Sequence, residues 1–273
     1  MCNEMFEGYS HEDAFRVVKE AGYDGVEISP FTLGPDPAHI NQDELAAALR
    51  ASEAVGIPII GLHWLLAKTE GFHLTSPDSD VRAKTVDLLR ARVRDCAALG
   101  GSVLIFGSPQ QRSLLPGVSW QQAWDYAVEG LKKVADESEK CSVTFCLEPL
   151  GPAETDFINT ADEAWELAQA VGSDRLTLMI DVKAMKSETT PITQIIQKHA
   201  AHAGHFHAND PNLRGPGFGD EDFVPIFQAL SHTGFDKYVS VEVFDFKPDP
   251  VTIATDSLAY MKRCLQEGTT ANV

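Results

Sequence analysis

The residues of this chain best suited to chemistry stand at the ends of short apolar runs. Glu148 closes FCLEPL, Asp181 closes LMIDVK, His207 sits in GHFHAND and Glu242 in VSVEVF. Glu27 in GVEIS, His63 in IIGLHW and His205 hold comparable places. A carboxylate taken out of water without a partner either gives up its charge or destabilises the fold. Three acids and two histidines converging on one point therefore need a shared counter-ion. Glu, Asp and His offer oxygen and imidazole nitrogen, donors suited to Mn²⁺, Mg²⁺ or Co²⁺. No cysteine stands among them, which argues against structural zinc. His205 and His207 are two apart, so on a strand both side chains point to one face while Phe206 points to the other. Taken singly, Glu27 reads equally as a loop anchor and His63 as a satisfied core histidine; the combination carries the inference.

Such convergence needs elements that end together. Apolar runs at residues 2–5, 25–28, 58–63, 102–106, 143–147, 176–180, 203–207 and 238–243 alternate with helical patterns. Those patterns cover 11–21, 42–55, 79–99, 120–140, 161–171, 192–200, 223–233 and 250–265. Strand–helix alternation from end to end is the pattern of βα units on a parallel sheet. Eight such units predict a closed (β/α)₈ barrel, α/β in class, in which functional groups gather where strands end. A doubly wound open sheet is the competing architecture, but its glycine-rich phosphate fingerprint is absent. No linker or low-complexity tract divides the chain, so residues 1–273 read as one domain. The first run is short for this fold, which leaves open whether strand one is complete.

The boundaries have local causes. Ser10 is placed to cap the first helix, with Asp13 where a capping-box acid belongs. Asn159 and Thr160 precede ADEAWELAQAV, whose early acids oppose the helix dipole. Gly22, Gly56, Gly100, Gly101 and Gly172 follow helical patterns, where a left-handed cap favours glycine.

Composition narrows the function. The net charge is −18, from 40 acids against 22 bases, so the surface repels phosphate backbones and nucleic acid is not an expected partner. No apolar run is long enough to span a bilayer, and the acidic start MCNEMFEGYS lacks the pattern of a signal peptide. Cys2, Cys96, Cys141, Cys146 and Cys264 are scattered, odd in number and without zinc-like spacing. That usage points to a reducing, cytoplasmic setting rather than a disulfide framework, and none has the basic neighbour of a nucleophile.

GYDGVEIS, LEPL, the Asp after strand six, GHFHANDPN with GPGFGDEDF, and VSVEVF resemble the xylose-isomerase-like superfamily of sugar isomerases and epimerases, nearest the D-tagatose 3-epimerase branch. The resemblance spans nearly the whole chain and is strongest from Val143 to Phe244. It implies that Glu148, Asp181, His207 and Glu242 hold one divalent cation, Mn²⁺, Mg²⁺ or Co²⁺. It also implies that Glu148 and Glu242 act as an acid/base pair on a keto- or aldo-sugar through an enediolate. Glu154 matches a substrate-contacting glutamate. The departures are local: Ala184 stands where the epimerases carry a histidine, Gly151-Pro152 replaces an Asn-Arg pair, and the family arginine falls on Leu213. Lys183 and Arg214, each one place away, are candidates for the lost polar contacts. His63, Trp64 and His205 are further candidates for substrate contact, Trp64 by stacking on a sugar face.

The primary expectation is thus a metal-dependent isomerase or epimerase of a small sugar or polyol derivative. The altered polar positions keep a lyase or dehydratase on a 3-keto-glycoside or inosose as the alternative. An abasic-site nuclease is disfavoured by the acidic balance, and a non-enzymatic barrel would fail to take up metal. Loops at 30–38 and 211–222 are Gly/Pro-rich and follow strands two and seven, where substrate would enter. No phosphate-binding glycine loop is evident. The sequence permits a homo-oligomer without fixing its order.

Overall fold

The computed structural model describes residues 1–270. Seven parallel strands pair in chain order: β1 (Val26–Ile28), β2 (Ile59–Leu62), β3 (Val103–Phe106), β4 (Thr144–Leu147), β5 (Leu176–Asp181), β6 (Ala203–Ala208) and β7 (Val239–Val241). Around them run α1 (His11–Ala21), α2 (Gln42–Val55), α3 (Ser79–Ala98), α4 (Trp120–Cys141), α5 (Ala161–Val171), α6 (Val182–Lys186), α7 (Ile192–His199), α8 (Phe223–Thr233) and α9 (Pro250–Thr270). This is the predicted (β/α) barrel, closed in an unexpected way.

The run at 2–5 is not a full strand. Cys2 alone bridges β1, opposite Glu27. The backbone still joins both edges: Cys2 N–H donates to Val241 O at 3.0 Å, Asn3 N–H to Glu27 O at 3.0 Å, and Glu27 N–H to Met1 O at 2.9 Å. Pairing stops there because the chain turns, Phe6 N–H reaching back to Asn3 O at 3.1 Å. The Glu4 carboxylate meanwhile accepts Val243 N–H at 2.9 Å. A three-residue segment thus closes the ring between β1 and β7.

Local chemistry sets the helix ends. Ser10 accepts the Asp13 N–H, and Asn41 with Glu44 and Thr160 with Glu163 form capping boxes. Gly22, Gly56 and Gly172 end α1, α2 and α5 in the left-handed conformation. The large apolar core includes residues of both strands and helices, such as Leu104, Phe106, Leu89 and Leu131. A second, smaller cluster of Val103, Ile105, Cys146 and Met179 comes from strand faces alone. Because side chains alternate along a strand, Cys146 and Met179 place Glu148 and Asp181 on that same inward face. All five cysteines are free, and burial raises the thiol pKa of Cys2, Cys96 and Cys146.

Candidate functional site

Glu148, Asp181, His207 and Glu242 converge at the strand ends, fully buried, with one ligand atom of each within 4.8 Å of all the others. Glu148 follows β4 directly, Asp181 ends β5, His207 lies within β6 and Glu242 follows β7. Gly107, after β3, makes room: a Cβ there would stand 2.2 Å from Glu148 Oε2.

Each group is held from behind. Asp181 Oδ1 accepts Ala184 N–H at 2.7 Å and so caps α6, while Asn209 donates its amide to Asp181 Oδ2. The same amide lies 3.3 Å from Glu242 Oε2, and Trp64 Nε1–H donates to Glu242 Oε1 at 2.7 Å. Arg112, itself buried, donates to the Glu148 carbonyl at 2.6 Å and to the Ile158 carbonyl at 3.3 Å. It thereby ties the ends of the loop that carries Glu154. Burial pushes the Arg112 pKa down to about 10.

The cluster carries more negative charge than its surroundings can neutralise. Burial, with Glu242 and Asp181 close by, pushes the Glu148 carboxyl well above the usual carboxylate range. Burial and Glu242 push Asp181 up to about 6. Burial opposes the charge on Glu242 too, but His207 outweighs it and draws that carboxyl down to about 2. His207 Nδ1 stands 3.3 Å from Glu242 Oε2 and finds no hydrogen-bond partner. A buried ring nitrogen without a partner, facing three carboxylates, fits a divalent cation. Octahedral Mg²⁺ with bonds of about 2.1 Å sets opposite ligands about 4.2 Å apart, within the spread observed. Three oxygens and one nitrogen are a donor set for Mg²⁺ or Mn²⁺ rather than for a thiolate-seeking metal.

The cluster opens into a cleft of about 310 Å³ lined by Trp64, Lys68, Ser108, Glu148, Glu154, Glu242 and Phe244 among others. Trp64 stacks on Phe244 with centroids 5.5 Å apart and also lies 6.0 Å from Phe31. Lys68 Nζ caps the Phe31 ring at 4.1 Å and Lys183 Nζ the Phe244 ring at 4.2 Å, giving an aromatic wall with an ammonium at each end. Trp64, Lys68 and Ser108 all have left-handed φ, at 52°, 59° and 42°. Non-glycine residues adopt that conformation at a cost of about 1–3 kcal/mol each, and such strain concentrates at functional sites.

Trp64 and Glu154, expected at the substrate, line the cleft; Lys183 Nζ donates to Glu154 Oε1 at its rim, at 2.8 Å. His63, His205 and Arg214 do not line it. His63 is fully buried, its Nε2 within 2.9 Å of both Glu4 Oε2 and Ser29 Oγ. His205 faces inward but lies deeper than His207, its Nε2 2.7 Å from Glu27 Oε2. The Arg214 side chain turns to Asp245, at 3.4 Å. Four supporting residues escaped sequence reasoning or were left undecided by it: Glu4, Glu27, Arg112 and Asn209. Asn209 was within reach, since it stands two residues after His207 and shares its face.

A family model described as "Xylose isomerase-like TIM barrel" matches residues 15–264. A D-psicose 3-epimerase of Ruminiclostridium cellulolyticum is 29% identical over 232 residues, covering 83% of this chain and 76% of the relative. An L-ribulose 3-epimerase of Mesorhizobium japonicum is 29% identical over 227 residues, covering 83% and 73%. Among solved structures, a 3-keto-D-glucoside 4-epimerase from E. coli superposes with a TM-score of 0.84 at 21% identity, covering 97% of this chain and 98% of the other.

Proposed function

The chain belongs to the xylose isomerase-like TIM barrel family, and from that premise we propose that it is a divalent-cation-dependent epimerase of a keto-sugar, moving a proton at a carbon beside the carbonyl. The carrying observation is that Glu148 and Glu242 belong to two features at once: both are in the four-residue cluster and both line the cleft. The family match and the epimerase relatives support the same chemistry.

Glu148, Asp181, His207 Nδ1 and Glu242 would hold the cation, which when bound polarises a substrate carbonyl and steadies the enediolate charge. The remaining work falls to side chains of the chain itself. Glu242 is pinned by Trp64 and Asn209, so its carboxylate keeps a fixed aim. The Glu148 carboxylate accepts no hydrogen bond from the described residues and is free to take or return a proton. One glutamate removes the carbon-bound proton and the other delivers one to the opposite face. The Trp64–Phe244 wall suits the C–H face of a sugar, and Glu154 with Lys183 offers an acceptor and a donor to its hydroxyls. A neutral or polyol-like substrate suits a cleft without a phosphate cradle. The free cysteines accord with a reducing, cytoplasmic setting, and no helix among the described residues is long and apolar enough to cross a membrane.

The test is isotope exchange. Mn²⁺-loaded protein incubated in D₂O with D-fructose, D-tagatose, D-psicose and L-ribulose should place deuterium at one carbon and yield the epimer. Bound metal without exchange on any of them, or on a wider panel of keto- and aldo-sugars, would overturn the reading. Release of water from an inosose, or of an aglycone from a 3-keto-glycoside, would move the chain to the lyase alternative.

A further inference from the structure

We propose that Glu27 is a positioning residue: it fixes which nitrogen of His207 faces the ligand cluster and so sets the affinity of that cluster for its cation. The inference rests on the cation-centred reading above. Glu27 is fully buried, stands in β1 on the far side of His207 from the cluster, and belongs to no set with Glu148, Asp181 or Glu242. Its Oε1 lies 3.0 Å from His207 Nε2 and its Oε2 lies 2.7 Å from His205 Nε2.

An imidazole has two nitrogens, and the hydrogen bond at one decides the state of the other. A carboxylate only accepts, so Glu27 keeps the proton on His207 Nε2 and leaves the Nδ1 lone pair toward the cluster. That atom has no hydrogen-bond partner and stands 3.3 Å from Glu242 Oε2. The second Glu27 oxygen packs 2.7 Å from His205 Nε2 as a close contact without hydrogen-bond geometry, so His207 is the ring that this carboxylate hydrogen-bonds. The carboxylate is anchored at the backbone as well: Glu27 N–H donates to Met1 O at 2.9 Å and Glu27 O accepts Asn3 N–H at 3.0 Å. The segment that closes the barrel therefore also holds the group that orients the metal-facing histidine. Acceptors behind a metal-bound histidine commonly account for about 10–100-fold in affinity.

Glu27→Gln keeps the shape but offers one acceptor in place of two, and sets an amide N–H against a ring nitrogen. Mn²⁺ affinity is read by chelator competition and stability by thermal unfolding of the metal-free protein. The expected result is metal binding weakened by about 10–100-fold, with a much smaller change in metal-free stability. Wild-type affinity in the variant, or a loss of affinity matched by an equal loss of metal-free stability, would overturn the proposal. If the variant fails to fold, the wild type answers alone: long-range ¹⁵N spectra of the Mg²⁺-loaded protein should show His207 protonated at Nε2, and protonation at Nδ1 would overturn the role. A wild type that binds neither cation would overturn this inference together with the proposed function, whereas a metal-binding wild type with an indifferent Glu27→Gln removes this inference alone.

Discussion

Two polar layers are stacked inside one barrel, and they differ in how their charges are met. In the deeper layer the carboxylates of Glu4 and Glu27 face the imidazoles of His63, His205 and His207, at 2.9 Å, 2.7 Å and 3.0 Å in the closest pairs. Burial opposes the charge on Glu27, yet His205 and His207 bring its carboxyl well below the usual range. At the mouth, three carboxylates share His207 and the more distant Lys183 ammonium, and burial with their mutual repulsion still pushes Glu148 and Asp181 upward. In the deeper layer imidazoles outweigh the cost of burying Glu27; in the upper one burial and like charge win at Glu148 and Asp181.

The comparison breaks most visibly at the mouth. Asp181→Asn should cost about 10²–10³-fold in turnover, as removal of a group acting on transition-state charge does. It should also abolish tight Mn²⁺ binding while changing metal-free stability little, because relief of like charge offsets the lost acceptor for Asn209. Steady-state kinetics, metal analysis and thermal unfolding check the three parts. The deeper layer should behave oppositely. Glu4→Ala strands the Val243 N–H and leaves His63 Nε2 with Ser29 Oγ but no carboxylate, and should destabilise the metal-free protein by about 3 kcal/mol, read from urea unfolding.

How much of this was legible in the sequence follows from the range of each interaction. The bounds of α1, α2, α5 and α8 could be read because their caps lie within a few residues, Ser10 to Gly22 for α1 being typical. The four mouth residues could be read because each ends an apolar run. The five-residue α6 was not, since it is too short to show a period and its N-cap is Asp181 itself. Glu4 was missed because its partners His63 and Val243 are 59 and 239 positions away. Arg112 binds only backbone carbonyls, which leave no mark on side-chain pattern. Strand parity aimed His205 inward correctly, but parity does not measure depth along the barrel, and Glu27 meets that ring below the cleft.

Two smaller effects sharpen the contrast. Trp64→Phe keeps a ring against Phe244 but removes the Nε1–H donor to Glu242; kcat/KM should fall about tenfold, the scale of one hydrogen bond to a charged group. The pH dependence is also directional. Burial and Glu242 push the Asp181 carboxyl up to about 6, so as the pH falls toward that range protons compete with metal for the carboxylate. The rise in Tm produced by Mn²⁺ should therefore grow between pH 5 and pH 7, the sign set by a raised carboxyl pKa; differential scanning calorimetry reads it.

The most direct test of the unbalanced-layer account is anomalous diffraction at the manganese edge from crystals grown with Mn²⁺. The account predicts one strong peak among Glu148, Asp181, His207 Nδ1 and Glu242. No peak there, or a peak instead in the deeper layer beside Cys2, Glu27 and His63, would contradict it.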